Sequence, residues 1–243
     1  MDGPKELGGL AAVRGRVYAF LSSVYLNIPG LDLVENIRHE TFMSFLSGIS
    51  CDTGLSEQMR VGLDEVQRFA GAVREQPPEA VWQQLAVDRT RLFRGIKPGY
   101  SPPAPYESSY RGQEQTVMGE WAVSVLREYA RAGVFLPDDR REPPDHIGVE
   151  LDFMRFLAQR EAESWQTGAR HEAVGCLEME QSFLDQHIVP WVPVFCHNVI
   201  DMAGLDFYRG VARITTSFVV DDLERVQEIL HLLLEGNRNG TGA

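Results

Sequence analysis

The sequence predicts an all-α protein, a single helical bundle of about nine or ten helices packed around one core. Three observations point there. Long proline-free segments carry apolar residues at helical spacing, the prolines gather in two short stretches, and no segment with strand character has an evident partner strand. Seven of the thirteen prolines fall within residues 98–105 and 137–144. Each removes a backbone donor and clashes with the preceding helical turn, so these stretches separate helices rather than belong to them.

The elements follow in order. Leu10, Val13, Val17, Phe20, Leu21 and Val24 form a first apolar stripe, and Met59, Leu63, Val66, Ala70 and Val73 a second. A helix is expected to end near Phe93, because Gly95 suits a left-handed cap and Pro98 blocks continuation. Met118, Trp121, Ala122, Val125 and Tyr129 line one later helix, and Ile147, Leu151, Met154 and Ala158 another. Ala169, Ala173, Cys176, Leu177, Leu184 and Ile188 line a third. Residues 211–220 are rich in β-branched side chains and have strand character. Yet Phe207, Val211, Ile214, Thr215 and Phe218 keep a helical period, and helix is the expectation. Residues 1–235 are expected to form a single domain with a hinge at 137–145. The Gly- and Asn-rich residues 236–243 are expected to be a disordered tail.

Composition narrows the function. The 243 residues hold 35 acidic and 23 basic side chains, a formal charge of −12, with 44% hydrophobic and 24% charged residues. That is ordinary globular composition, able to bury a core. The negative charge repels phosphate backbones and Lys and Arg form no cluster, which argues against nucleic acid as a partner; a basic peptide is a natural one. Cys51, Cys176 and Cys196 lie far apart with no C-x-x-C spacing, the pattern of free thiols in a reducing compartment. The amino terminus has neither a basic n-region nor an apolar h-region. No charge-free run is longer than the 15 residues 17–31, which Pro29 interrupts, so a cytoplasmic protein without a membrane span is expected.

Catalytic signatures are missing. The chain has no G-x-G-x-x-G, no G-x-x-x-x-G-K-[ST], no G-x-S-x-G and no H-E-x-x-H. A di-iron bundle needs a Glu-x-x-His pair from each of two helices, and only Glu228 and His231 supply one. Glu35 and His39 share a helix face but read as a surface pair. No catalytic residue, cofactor or protein-bound metal is expected.

Two segments read as functional. In the first, residues 92–110, Pro105 fixes its own backbone and biases Ala104 away from helix, so Tyr106 and Glu107 are presented on a restrained loop. Two tyrosines and a carboxylate on stiff backbone suit peptide recognition; equally, Tyr106 and Tyr110 could simply plug the core beneath a long loop. In the second, residues 138–152, six acids face two arginines, a formal charge of −4. Asp145 reads as the N-cap of the helix that follows. His146 would then sit in the first turn, where the helix dipole opposes its protonation while Asp145, Glu142 and Glu150 favour it, so that its charge state would respond to a ligand. Alternatively, this stretch is only a helix start plus a hinge.

These residues also carry a resemblance. Asp88-x-x-Arg91-Leu92-Phe93, Pro105-Tyr106-Glu107-Ser108-x-Tyr110, Glu142-Pro143-Pro144-Asp145-His146-Ile147-x-x-Glu150-Leu151-x-Phe153-Met154, Phe183-Leu184-x-x-His187 and Trp191-x-Pro193 closely resemble the TorD/DmsD/NarJ family of redox-enzyme maturation chaperones, over about residues 10–220. The resemblance implies an all-helical cytoplasmic chaperone, not an enzyme. Its partner would be the apo catalytic subunit of a molybdopterin oxidoreductase, bound at the twin-arginine signal peptide until the cofactor is inserted. It also implies a peptide-binding groove at Tyr106, Glu107, Ser108, Tyr110, Glu142, Pro143, Asp145, His146 and Glu150. There carboxylates would anchor the two arginines and aromatic surface would take the apolar part. Two departures stand out: Arg89 occupies a position where an aromatic residue is common, and a Pro-rich insertion separates Gly95 from Pro105. An alternative of another class is a small-molecule site, with nucleotide or molybdenum cofactor at Asp145 and His146. A third reading is a structural helical adaptor. Monomer and homodimer both remain open, and an element exchanged between protomers would hinge at 137–144.

Overall fold

Helical periodicity is realised along nearly the whole chain. The computed structural model describes residues 3–50, 55–94, 102–111, 119–137 and 142–240. Among the described residues there are eleven α-helices and no strand: α1 (Pro4–Leu26), α2 (Leu31–Arg38), α3 (Glu40–Ser50), α4 (Glu57–Val73), α5 (Pro78–Phe93), α6 (Glu107–Arg111), α7 (Glu120–Arg131), α8 (Ile147–Thr167), α9 (Arg170–Phe183), α10 (Val192–Met202) and α11 (Asp206–Gly240). A π-helical turn, Leu184–Ile188, follows α9. The count exceeds the nine or ten expected because α2 and α6, with 8 and 5 residues, are too short to show a hydrophobic period.

Local chemistry sets the ends. Pro4 opens α1, Ser56 accepts the Met59 amide at 3.2 Å to cap α4, and α8 stops at Gly168, whose φ of 77° is left-handed. α5 ends at Phe93 as expected; Gly95 and Pro98 lie outside the described residues. The β-branched residues 211–220 are helical, inside α11. That helix continues to Gly240 through the start of the stretch expected to be a disordered tail, while residues 241–243 lie outside the described residues. Residues 138–141 of the expected hinge, Met118 and Cys51 also lie outside them.

Packing departs from the sequence stripe in one place. α1 buries Leu7, Ala11, Val17, Tyr18, Leu21, Val24 and Tyr25, whereas Val13 is 43% exposed. The predicted face of α4 is buried at all five positions, and Ile147, Leu151, Met154 and Ala158 of α8 are fully buried. α1 runs along α8, and α11 along α4. The second pair crosses at glycine: a Cβ on Gly210 would sit 2.5 Å from the Gly62 carbonyl oxygen, so only hydrogen fits between the backbones. Cys176 and Cys196 are buried free thiols, and burial pushes them up to about 11 and about 12.

One buried cation ties four helices together. Arg14 of α1 donates to Asp222 of α11 at 2.5 Å, to Glu161 of α8 at 2.7 Å and to Glu180 of α9. Tyr18 and Trp165 donate to Asp222 and Glu161 at 2.6 and 2.8 Å. Asp88 of α5 plays a similar part at the start of α11, accepting the amides of Gly204 and Leu205 and the guanidinium of Arg91. Among the described residues no helix is long and apolar enough to cross a membrane.

Candidate functional site

Two backbone hydrogen bonds splice the proline-flanked segments. The Glu107 amide donates to the Asp145 carbonyl at 2.9 Å and the Ile147 amide to the Pro105 carbonyl at 3.0 Å, bracketing an antiparallel bridge between Tyr106 and His146. Their rings lie 5.5 Å apart. From below, the Tyr129 hydroxyl of α7 donates to the Pro144 carbonyl at 2.9 Å. The start of α8 is held close to the end of α1 because Gly148 has no side chain: a Cβ there would lie 2.5 Å from Leu26 Cγ.

The helix start is displaced by one residue from the expectation. His146, not Asp145, is the N-cap of α8: its backbone is extended and its Nδ1 accepts the Gly148 amide at 3.0 Å. Asp145 instead turns inward, where its carboxylate accepts the Ser108 amide of α6 at 3.1 Å, one of the donors a helix start leaves unpaired. The expected titratable His146 is also corrected. A ring nitrogen that accepts is unprotonated, and burial together with the Arg89 guanidinium pushes His146 down to about 3, so the ring is neutral near neutral pH.

Beneath the bridge lies a sealed layer of carboxylates. Glu107 is fully buried and accepts from Arg111 at 2.6 Å and from His187 Nδ1 at 2.9 Å. Glu150, also fully buried, accepts from Trp191 at 3.2 Å; burial and the nearby Glu107 and Asp145 push its carboxyl well above the usual range. Glu107, Asp145 and Glu150 therefore do not border an opening, and Ser108 is buried with them. They fasten α6 and the start of α8 to the π-helical turn and α10, which explains why His187 and Trp191 belong to the same motif set. Tyr110 packs half-buried against Trp191 and Phe195 at 5.4 and 6.0 Å and donates to the Pro103 carbonyl.

Above this layer opens a cleft of about 1300 Å³, walled by the ends of α1 and α5, by α2 and by the two spliced segments. Of the sequence candidates, Tyr106, Glu142 and His146 line it; the Tyr106 hydroxyl donates to Glu142 at 3.3 Å. Pro143 is half-buried beside Glu142. The remaining lining is what sequence reasoning missed. Asp32 of α2 and Asp152 of α8 add carboxylates, Leu26, Leu33 and Leu136 add apolar surface, and Arg89 and Arg94 add positive charge. The cleft is thus mixed in charge, not uniformly negative as the acidic segment suggests. Single residues on separate helices leave no local pattern. Among the described residues no three His, Cys, Asp or Glu side chains are placed to hold a metal ion.

Comparison with known proteins agrees with the motifs. The family model for the nitrate reductase delta subunit matches residues 52–197. A chaperone protein TorD of Vibrio cholerae is 25% identical over 227 residues, 93% of this chain and 97% of its own length. One of Vibrio atlanticus is 28% identical over 208 residues, 84% and 90% of the two chains. A crystal structure of a candidate redox enzyme maturation protein from Archaeoglobus fulgidus aligns at a TM-score of 0.45 and 20% identity, covering 85% of this chain and 93% of that one. With its matched segment spanning more than half its length, the chain belongs to the nitrate reductase delta subunit family, the TorD/DmsD/NarJ group of redox-enzyme maturation chaperones.

Proposed function

We propose that this protein is a cytoplasmic, client-specific chaperone that holds the apo catalytic subunit of a molybdopterin oxidoreductase by its twin-arginine leader, in the cleft walled by Tyr106, Glu142 and His146, until the cofactor is inserted. The observation that carries this reading is the composition of that cleft: Glu142, Asp32 and Asp152 stand beside Leu26, Leu33 and Leu136. Paired guanidinium groups followed by an apolar stretch match such a surface, because carboxylates take arginine in directed, charge-assisted hydrogen bonds and the leucines take the apolar part. A nucleotide or molybdenum cofactor seated on Asp145 and His146 finds less support: Asp145 is sealed, and three carboxylates on the walls repel phosphate.

Titration calorimetry of the full chain with a twin-arginine leader peptide and its twin-lysine counterpart tests this. The expected result is micromolar or tighter binding of the arginine form, weaker binding of the lysine form, and loss of affinity with added salt. Equal affinities for the two peptides contradict the proposal.

A further inference from the structure

The wall of the cleft contains a buried guanidinium that no carboxylate among the described residues contacts directly, although the charge of Glu142 acts on it across the cleft. Arg89 is 8% exposed, and among the described residues no carboxylate lies within ion-pairing distance of it. Its Nη2 donates to the Tyr25 and Leu26 carbonyls at 2.7 and 3.1 Å, closing the carboxyl end of α1. Its Nε, buried, has no hydrogen-bond partner. Capping a helix end and lying over the Phe93 ring at 5.7 Å account for part of the guanidinium and leave its Nε unexplained, since a buried charge is ordinarily fully hydrogen-bonded.

His146 lines the same cleft, near enough for the Arg89 charge to act on its ring. Because its Nδ1 accepts the Gly148 amide, its ring proton resides on Nε2, and among the described residues no acceptor meets that nitrogen. The side chain is 3% exposed, and burial, with the Arg89 charge adding to it, keeps the ring neutral. Two buried donor groups therefore share the cleft wall without a shared acceptor.

We propose that Arg89 and His146 form a receptor for one carboxylate of the bound segment, making the cleft selective for a peptide that carries an acidic side chain near its arginines. A carboxylate fits better than phosphate, because Glu142, Asp32 and Asp152 occupy the same cleft and disfavour a multiply charged anion. The peptide as occupant rests on the chaperone reading above; the acceptor site itself does not.

The test uses the full-length, ¹⁵N-labelled chain with glutarate, its neutral counterpart glutaramide, and inorganic phosphate, together with a twin-arginine leader scanned position by position with Glu and with Gln. Glutarate is expected to shift the His146 Nε2 resonance saturably while glutaramide does not, and the shift is expected to vanish in Arg89→Gln. At one or two leader positions Glu is expected to bind about tenfold more tightly than Gln. No glutarate shift, a larger shift with phosphate, or a bound leader with no position preferring Glu overturns the proposal. Should Arg89→Gln fail to fold, the glutarate and glutaramide comparison on the unaltered chain still decides. A leader that does not bind at all removes the chaperone reading, while the glutarate arm continues to decide the acceptor site.

Discussion

Tyr106 and His146 face one another across the only extended pairing among the described residues, and that contact converts two loops some forty positions apart into one wall of a cleft. The pairing is fixed from beneath by the buried carboxylates, so chemistry at the surface and chemistry below it separate into distinct experiments.

The acids of the second segment are expected to divide into two behaviours. Glu142 lines the cleft, so Glu142→Gln should weaken a twin-arginine peptide about fivefold, the scale of a partly screened ion pair, with little change in melting temperature. Asp145 is sealed, so Asp145→Ala leaves the Ser108 amide without its acceptor and should destabilise the fold by about 1–3 kcal/mol. Calorimetry and thermal denaturation on both variants check this; equal loss of affinity at unchanged stability for Asp145→Ala would contradict it.

His146 gives a pH dependence with a definite sign. Its ring is depressed from 6.5 to about 3 in the folded chain, so the unfolded chain binds the extra proton. The stability it contributes is present above pH 6.5 and is lost as pH falls toward 3. His146→Asn keeps a capping acceptor but does not titrate, and its melting temperature should fall less steeply with acid than that of the unaltered chain. Parallel curves would refute the assignment.

Arg14 is expected to be the residue least tolerant of change. Removing it leaves Asp222, Glu161 and Glu180 buried without a cation, so Arg14→Met should destabilise by about 3–5 kcal/mol. Burial raises Glu180 from 4.5 to about 8 despite Arg14, so its contribution to stability is present below pH 4.5 and is lost as pH rises through about 8. Glu180→Gln should remove that alkaline decline. Urea denaturation at pH 6 and at pH 9 measures both effects.

The glycine contacts predict crowding rather than lost flexibility. Gly210→Ala drives a methyl against the Gly62 carbonyl, and Gly148→Ala drives one into Leu26. Each should destabilise by about 1–3 kcal/mol, the scale of overpacking. Gly148→Ala should in addition disturb peptide binding, since Leu26 lines the cleft. Thermal melts of Gly9→Ala, where nothing lies within 4 Å, supply the control.

How much of this was readable beforehand follows from range. Stripes such as Met59 to Val73 express a local period, and the structure buries that face as anticipated. Proline placement likewise located the two segments that meet. What local pattern could not show was orientation: Asp145 satisfies every rule for a cap, yet the donor it serves belongs to Ser108, supplied by a distant loop. Glu107 and Glu150 are expected in the peptide-binding groove because nothing local reveals their buried partners, His187 and Trp191, which lie 80 and 41 positions away. Asp32 and Asp152 reach the cleft only through the packing of α1, α2 and α8.

Helix α1 performs two unrelated tasks. Arg14, near its middle, locks the bundle, while Leu26, about 18 Å further along, meets whatever enters the cleft. With solidity vested in one stretch and discrimination in another, descendants of this chain are free to change the proteins they escort without loosening the framework that escorts them.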